Sequence, residues 1–188
     1  MTSATAEAAE RWLAEHREGV AAADALAFFD SLPTVALDEV IGRWRGSGLP
    51  TGSPLDGLLE AYGWYGKEFI GVESVHPLLF RTRAGPPRPV DPAFLPLSLL
   101  RDYAGLAHLG LLRTVFAGVR PLLYTNRPKA RLRTVEHRGV DTAAMIYDAL
   151  PIIDVFRRVA SDVLLGAMDM RGLAAPFFFL LERDDPAD

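Results

Sequence analysis

Two tryptophans set among glycines constrain this chain more than any other feature. They lie in residues 41–67, IGRWRGSGLPTGSPLDGLLEAYGWYGK. Gly42-Arg43-Trp44-Arg45-Gly46 opens the stretch and Gly63-Trp64-Tyr65-Gly66-Lys67 closes it. A large aromatic beside glycine marks a backbone that bends or approaches something closely while the ring covers a core. Val40-Ile41-x-x-Trp44, followed by Gly-Ser-Gly, suits a first strand that curls. Small antiparallel barrels need such a strand, because closure demands tilt, twist and glycine kinks. Periodicity alone equally admits a plain strand and turn with a buried Trp.

Upstream, residues 4–19 read as a helix capped by Thr5 and ended by Gly19. Its apolar stripe of Trp12, Leu13 and His16 is narrow, so it should pack on the outside. A second helix spans Ala22 to Ser31 with Leu26, Phe28 and Phe29 as its buried face, and Pro33 stops it. Downstream, PTGSPLDG at 50–57 is turn chemistry. Leu55 to Tyr62 reads as a short helix, and Tyr65–Ile70 and Val75–Phe80 as strands. Residues 84–92, AGPPRPVDP, read as a stiff connector. From Pro92 to Leu123 the chain is strongly apolar and helical, broken near Gly105 or Gly110. Arg101, Asp102, Arg113 and Arg120 interrupt it, so no membrane span is expected. It could plug the barrel, act as a lid, or form a dimer or membrane-surface face. Residues 129–183 carry turn markers about ten residues apart, the spacing of a five-strand antiparallel meander. Phe177 to Leu181 is a continuous apolar run, as in a strand buried on both faces.

Composition narrows the function classes. At 188 residues with 49% hydrophobic content, one domain with a sizeable core is expected. The net charge of −4 argues against nucleic acid as a partner. The basic cluster from Arg127 to Arg138 reads as a solvated strand face, with anion binding as the other reading. There is no cysteine, which excludes disulfides, thiolate metal sites and Cys nucleophiles. The first residues have neither the basic nor the apolar region of a secretory signal, so a cytoplasmic setting is expected.

GRWRG, LPTG, PLDGLLEAYGWYGK and VHPLLF together resemble the bacterial family named for its Gly-x-Trp-x-Gly motif, a domain of unknown function. AMIYDALPIIDVFRRV and LLGAMD resemble the domain that usually follows it. The resemblance covers roughly residues 26–183 and implies a lipocalin-like barrel with a small-molecule cavity; nitrobindins share such Gly-x-Trp strands. It implies no assigned activity. Ser53 stands where the family often has His after Thr-Gly.

Polar residues inside apolar strands mark where chemistry could sit. Alternation puts Ile152, Asp154, Phe156 and Arg158 on one face and Ile153, Val155, Arg157 and Val159 on the other. Asp169 interrupts a similar strand. An inward carboxylate needs a partner, and Arg131, Arg133, Arg157 and Tyr147 are available. A structural ion pair, or an outward Asp on a half-exposed strand, is the plainer reading. Lys67 matches the family motif, as a carboxylate binder at the barrel mouth or as a solvated side chain. His76 starts a strand, as a hydrogen-bonded structural residue or a general base. His16, His76, His108 and His137 show no metal-ligand spacing, so no metal is expected. By resemblance to nitrobindin-like barrels, His137 admits haem. There is no P-loop, no nucleotide-binding glycine motif and no nucleophile elbow.

The expectation is a mainly β, lipocalin-like antiparallel barrel with added helices: N-terminal helices over 1–34, the Gly-x-Trp-x-Gly half over 35–91, a helical insertion over 92–123 and closing strands over 124–188, forming one compact domain. Its expected role is to bind a hydrophobic small molecule (fatty acid, lipid or polyketide-like) without a cofactor. Trp44, Tyr65, Phe156, Phe177 and Phe179 would line the walls, and Lys67, Tyr147, Asp154 and Arg157 would hold the polar end. The alternatives are an isomerase or cyclase of secondary metabolism, with Tyr147, Asp154 and His76 as candidate catalytic groups, a haem-binding barrel, and an interaction module or homodimer built on the 92–123 helices.

Overall fold

The computed structural model of the chain describes residues 3–94 and 110–184. Helices α1 (Ser3–His16), α2 (Ala22–Ser31) and α3 (Leu37–Val40) precede β1 (Gly42–Gly48). A short helix α4 (Leu58–Ala61) leads to β2 (Trp64–Gly71), β3 (Ser74–Phe80) and the two-residue β4 (Arg88–Pro89). After α5 (Gly110–Val119) come β5 (Ala130–His137), β6 (Val140–Tyr147), β7 (Ile152–Ala160), β8 (Val163–Met170) and β9 (Phe177–Arg183).

All described strand pairings are antiparallel. β5 to β9 form the meander, β9 pairs with β1, β1 with β2 and β2 with β3. The ring closes between β3 and β5 through the Val75–Ala130 pair, with Lys129 N donating to Val75 O (3.0 Å) and Leu132 N to Val72 O (2.8 Å). β4 hangs on β3 through Leu79–Pro89 and Phe80–Arg88, so the proline-rich 84–92 stretch is not only a connector. Its register places Pro89 on an outermost strand, where its missing N–H is tolerated.

Alternation along the closing strands builds two cores. Ile152 and Phe156 of β7, and Phe177, Phe179 and Leu181 of β9, join the cluster inside the ring with Trp44, Trp64 and Phe69. Val155, Val159, Phe178 and Leu180 face outward, where they meet Leu13 of α1 and Ala25, Phe28 and Phe29 of α2. The Phe29 and Phe178 rings lie 6.0 Å apart and tilted, and Trp12 stacks on Phe28 at 3.7 Å. Each fully buried side chain of this size is worth about 1.5–3 kcal/mol, so the outer layer is as much a core as the interior. This is why β9 is apolar at five successive positions, Phe177 to Leu181. Two helical details differ from expectation. α1 begins at Ser3, which puts Thr5 inside the first turn instead of at the cap. On α2, Ala25 is buried with Phe28 and Phe29 while Leu26 is only half-buried.

The segment around α3 closes one end. Trp44 Nε1 donates to Val40 O at 2.8 Å, and the Arg183 guanidinium lies 4.2 Å over the Trp44 ring. Arg183 also donates to Ile41 O (3.0 Å) and Glu39 O (2.8 Å), satisfying carbonyls that the short helix leaves open. At the other end, Phe116 of α5 meets Tyr62 and Phe80 at ring distances of 5.2 and 5.5 Å. Arg120 donates to Tyr62 O at 3.2 Å. Of the expected 92–123 insertion, two single-turn helices (Pro92–Phe94 and Arg120–Leu123) and α5 are seen. The expected break near Gly105 lies outside the described residues, and α5 is described from Gly110 onward.

Candidate functional site

Lys67 enters the ring because β2 breaks its alternation. Trp64 and Lys67 are three residues apart, so a regular strand would set them on opposite faces. The β2–β3 register shifts on either side of Gly66, with φ +152° at Gly66. A Cβ there would lie 1.9 Å from Trp44 O, so only glycine fits. Beyond the bulge, Lys67 stands opposite Trp44 on β1, and its side chain is buried.

Inside, Lys67 Nζ lies 2.7 Å from Asp154 Oδ2, with the two side chains only 3% and 1% exposed. It also donates to Pro77 O (3.2 Å) and to the Tyr147 hydroxyl (3.4 Å). Three rings surround the ammonium: Phe179 at 4.9 Å, Tyr147 at 5.6 Å and Trp64 at 5.7 Å. An ammonium taken out of water is held here by a carboxylate, two oxygens and three π faces.

Asp154 stands between Met145 of β6 and Met168 of β8. Burial pushes its carboxyl above the usual carboxylate range, and the nearby Lys67 pulls the other way. Oδ2 contacts Lys67 off the hydrogen-bond axis, and Oδ1 has no hydrogen-bond partner. Burial also raises the Tyr147 phenol well above its ordinary value, and the Asp154 charge adds to the shift. The result is an ion pair with a phenol beside it and a carboxylate without a hydrogen-bond partner on either oxygen, all within an apolar shell.

Among the expected site residues, Trp44, Lys67, Tyr147, Asp154, Phe156, Phe177 and Phe179 share the interior. Tyr65 does not: it faces out and donates to the Asp184 carboxylate. Arg157 does not either. It is one residue out of phase with Phe156, and its guanidinium lies 5.3 Å over the Phe29 ring, beneath α2. Arg131 and Arg133 are likewise outside, paired with Asp148 and Glu73. The cation for Asp154 is therefore Lys67, and Lys67 is neither at a mouth nor solvated. His76 stands opposite Glu68, which pairs with Arg43 on the outer face, so it does not join Asp154. His76 Nδ1 has no hydrogen-bond partner, so the hydrogen-bonded reading of His76 does not hold at that atom. His137 meets the edge of Phe29 outside the ring and does not fit an axial ligand to haem in the interior. Asp169 lines an outer cavity of 290 Å³ with Leu26 and His137. This and the other described cavities, up to 480 Å³, lie on the outer surface or rim, and none is lined by Lys67, Tyr147 or Asp154.

Sequence reasoning singled out both Lys67 and Asp154 but did not pair them. The readable signal was Gly66 between Trp64 and Lys67, the mark of a bulge that turns the lysine inward.

Comparison with known proteins matches the chain in two pieces. Residues 27–85 match the description "GXWXG protein", and residues 128–183 match "Domain of unknown function (DUF4334)". The chain belongs to the GXWXG family. In this GXWXG protein the motif glycines have a visible purpose. A Cβ on Gly46 would sit 2.1 Å from the Trp64 ring, so the motif's last glycine is the space that Trp64 occupies. A crystal structure of a protein from Thermomonospora curvata is similar to the GXWXG chain, with a TM-score of 0.69 and 33% identity. The match covers 94% of this chain and 99% of that one. No curated protein matches. Among the described residues, no helix of the GXWXG chain is long and apolar enough to cross a membrane.

Proposed function

We propose that this GXWXG protein binds a hydrophobic small molecule whose polar end meets Lys67, Asp154 and Tyr147 inside the ring. One observation carries the reading: a buried Lys67–Asp154 pair with an unmatched carboxylate oxygen, set among aromatic and methionine side chains. An ion pair that only had to hold the fold would do so at less cost as apolar residues of similar volume. A few convergent polar groups in an apolar enclosure are the usual make-up of a small-molecule site. The ligand would enter from the end where Leu123, Tyr124 and Leu150 pack half-buried against the interior cluster. The proposal keeps a cytoplasmic setting without a nucleic-acid partner, the latter supported by the net charge of −4. The test is mass spectrometry of an organic extract of purified protein, paired with a titration of tryptophan fluorescence by apolar probes. A co-purifying apolar compound, or saturable quenching, is expected. No extractable compound and no response to any probe would remove the reading.

A second reading, an isomerase or cyclase in the same interior, is favoured by the state of Asp154. A carboxyl pushed up by burial, with Oδ1 unengaged, is suited to take a proton from a ligand carbon and return it elsewhere. The Lys67 ammonium and Tyr147 hydroxyl would hold the developing negative oxygen. Incorporation of deuterium from solvent at a ligand carbon, abolished in Asp154→Asn, is the expected sign. Binding without any exchange would exclude it.

A further inference from the structure

We infer that the polar end of the ligand is an uncharged hydroxyl, so that the site takes apolar alcohols in preference to fatty-acid anions. The inference rests on the binding reading above and names the chemical class of its ligand. It follows from counting hydrogen-bond capacity. The Lys67 ammonium has three protons, and three oxygens already meet it: Asp154 Oδ2, Pro77 O and the Tyr147 hydroxyl. A ligand carboxylate would have to displace one of these oxygens from the ammonium. What remains is the Asp154 carboxylate, with no hydrogen-bond partner on either oxygen and only Oδ2 turned to Lys67, and one donor. Asp154 Oδ1 is buried without a partner. The Tyr147 hydroxyl accepts from Lys67, and no acceptor among the described residues takes its own proton. A ligand hydroxyl completes both, donating to Asp154 Oδ1 and accepting from Tyr147.

Charge gives the same answer. Lys67 and Asp154 cancel, so the interior offers no net field to a charged head, which would lose its water without compensation. A carboxylate would stand against Asp154 and an ammonium against Lys67. The selectivity would also be steep, because a buried polar group left unpaired by the wrong ligand is penalised more than a missing methylene.

The test uses matched pairs at pH 8: 1-decanol with decanoate and decylamine, and geraniol with geranate. Trp64, 5.7 Å from Lys67 Nζ, reports by fluorescence. The expected result is that each alcohol binds roughly tenfold or more tightly than its acid or amine. Tyr147→Phe, which removes the hydroxyl that would donate to the ligand and that accepts from Lys67, should weaken the alcohols by about tenfold. Asp154→Asn, checked for a native near-ultraviolet spectrum, should erase the preference. Acids binding as tightly as alcohols, or Tyr147→Phe without effect on the alcohols, would overturn the inference and leave the binding reading standing. No response to any probe would overturn both.

Discussion

Lys67 Nζ and Asp154 Oδ2 stand 2.7 Å apart on β2 and β7, strands on opposite sides of the ring and not hydrogen-bonded to each other. The contact therefore spans the interior and ties the glycine-rich half of the chain to the closing meander. Removing the lysine alone leaves a buried carboxylate without its counter-charge. Lys67→Met is expected to cost about 3–5 kcal/mol in urea unfolding near neutral pH. The cost should shrink as pH falls, because Asp154 then takes up a proton. The paired change Lys67→Met with Asp154→Leu should recover most of the loss. A double variant as unstable as the single one would show that the pair does more than neutralise itself.

Gly46 and Trp64 define the tightest test of the motif. Gly46→Ala places a methyl within the Trp64 ring, 2.1 Å from its nearest carbon, and is expected to cost about 1–3 kcal/mol or more, with a changed near-ultraviolet signal from the displaced indole. Gly71→Ala, where a Cβ meets nothing within 4 Å, is the control and should change stability by less than about 0.5 kcal/mol. Equal effects at both positions would contradict the packing account.

Arg183 closes the end of the ring with a fork that a lysine cannot reproduce. It covers the Trp44 ring while donating to two backbone carbonyls. Arg183→Lys should lower stability by about 1–3 kcal/mol, since the planar two-donor geometry is lost while the charge stays. Hydrogen exchange at Ile41 and Val40 should rise in the same variant. Unchanged exchange there would place the role of Arg183 elsewhere.

Two histidines contribute to the loss of stability below neutral pH. Burial holds His76 and His137 below the ordinary imidazole value in the folded chain. Unfolded, each takes a proton near pH 6.5, so the unfolded state binds more protons below that point. Their contribution is therefore present above pH 6.5 and is lost as pH falls through the window beneath it. Denaturant midpoints measured downward from pH 7 should fall, and His76→Gln with His137→Gln should flatten that slope. A slope unchanged by the double substitution would assign it to other groups.

Periodicity in the sequence was enough to lay out the meander, the two N-terminal helices and the double-sided burial of Phe177 to Leu181, because period-two alternation and turn residues act over a few neighbours. The same alternation separated Asp154 from Arg157. It did not reveal Asp154's partner. Lys67 is 87 positions away from Asp154, and its direction depends on a bulge at Gly66, where the backbone comes so close to Trp44 O of the next strand that only glycine fits. Local rules decide which face a residue takes within a regular strand. Closure of the ring decided which residues meet across it, because a contact between distant strands depends on register, bulges and packing from every element between them.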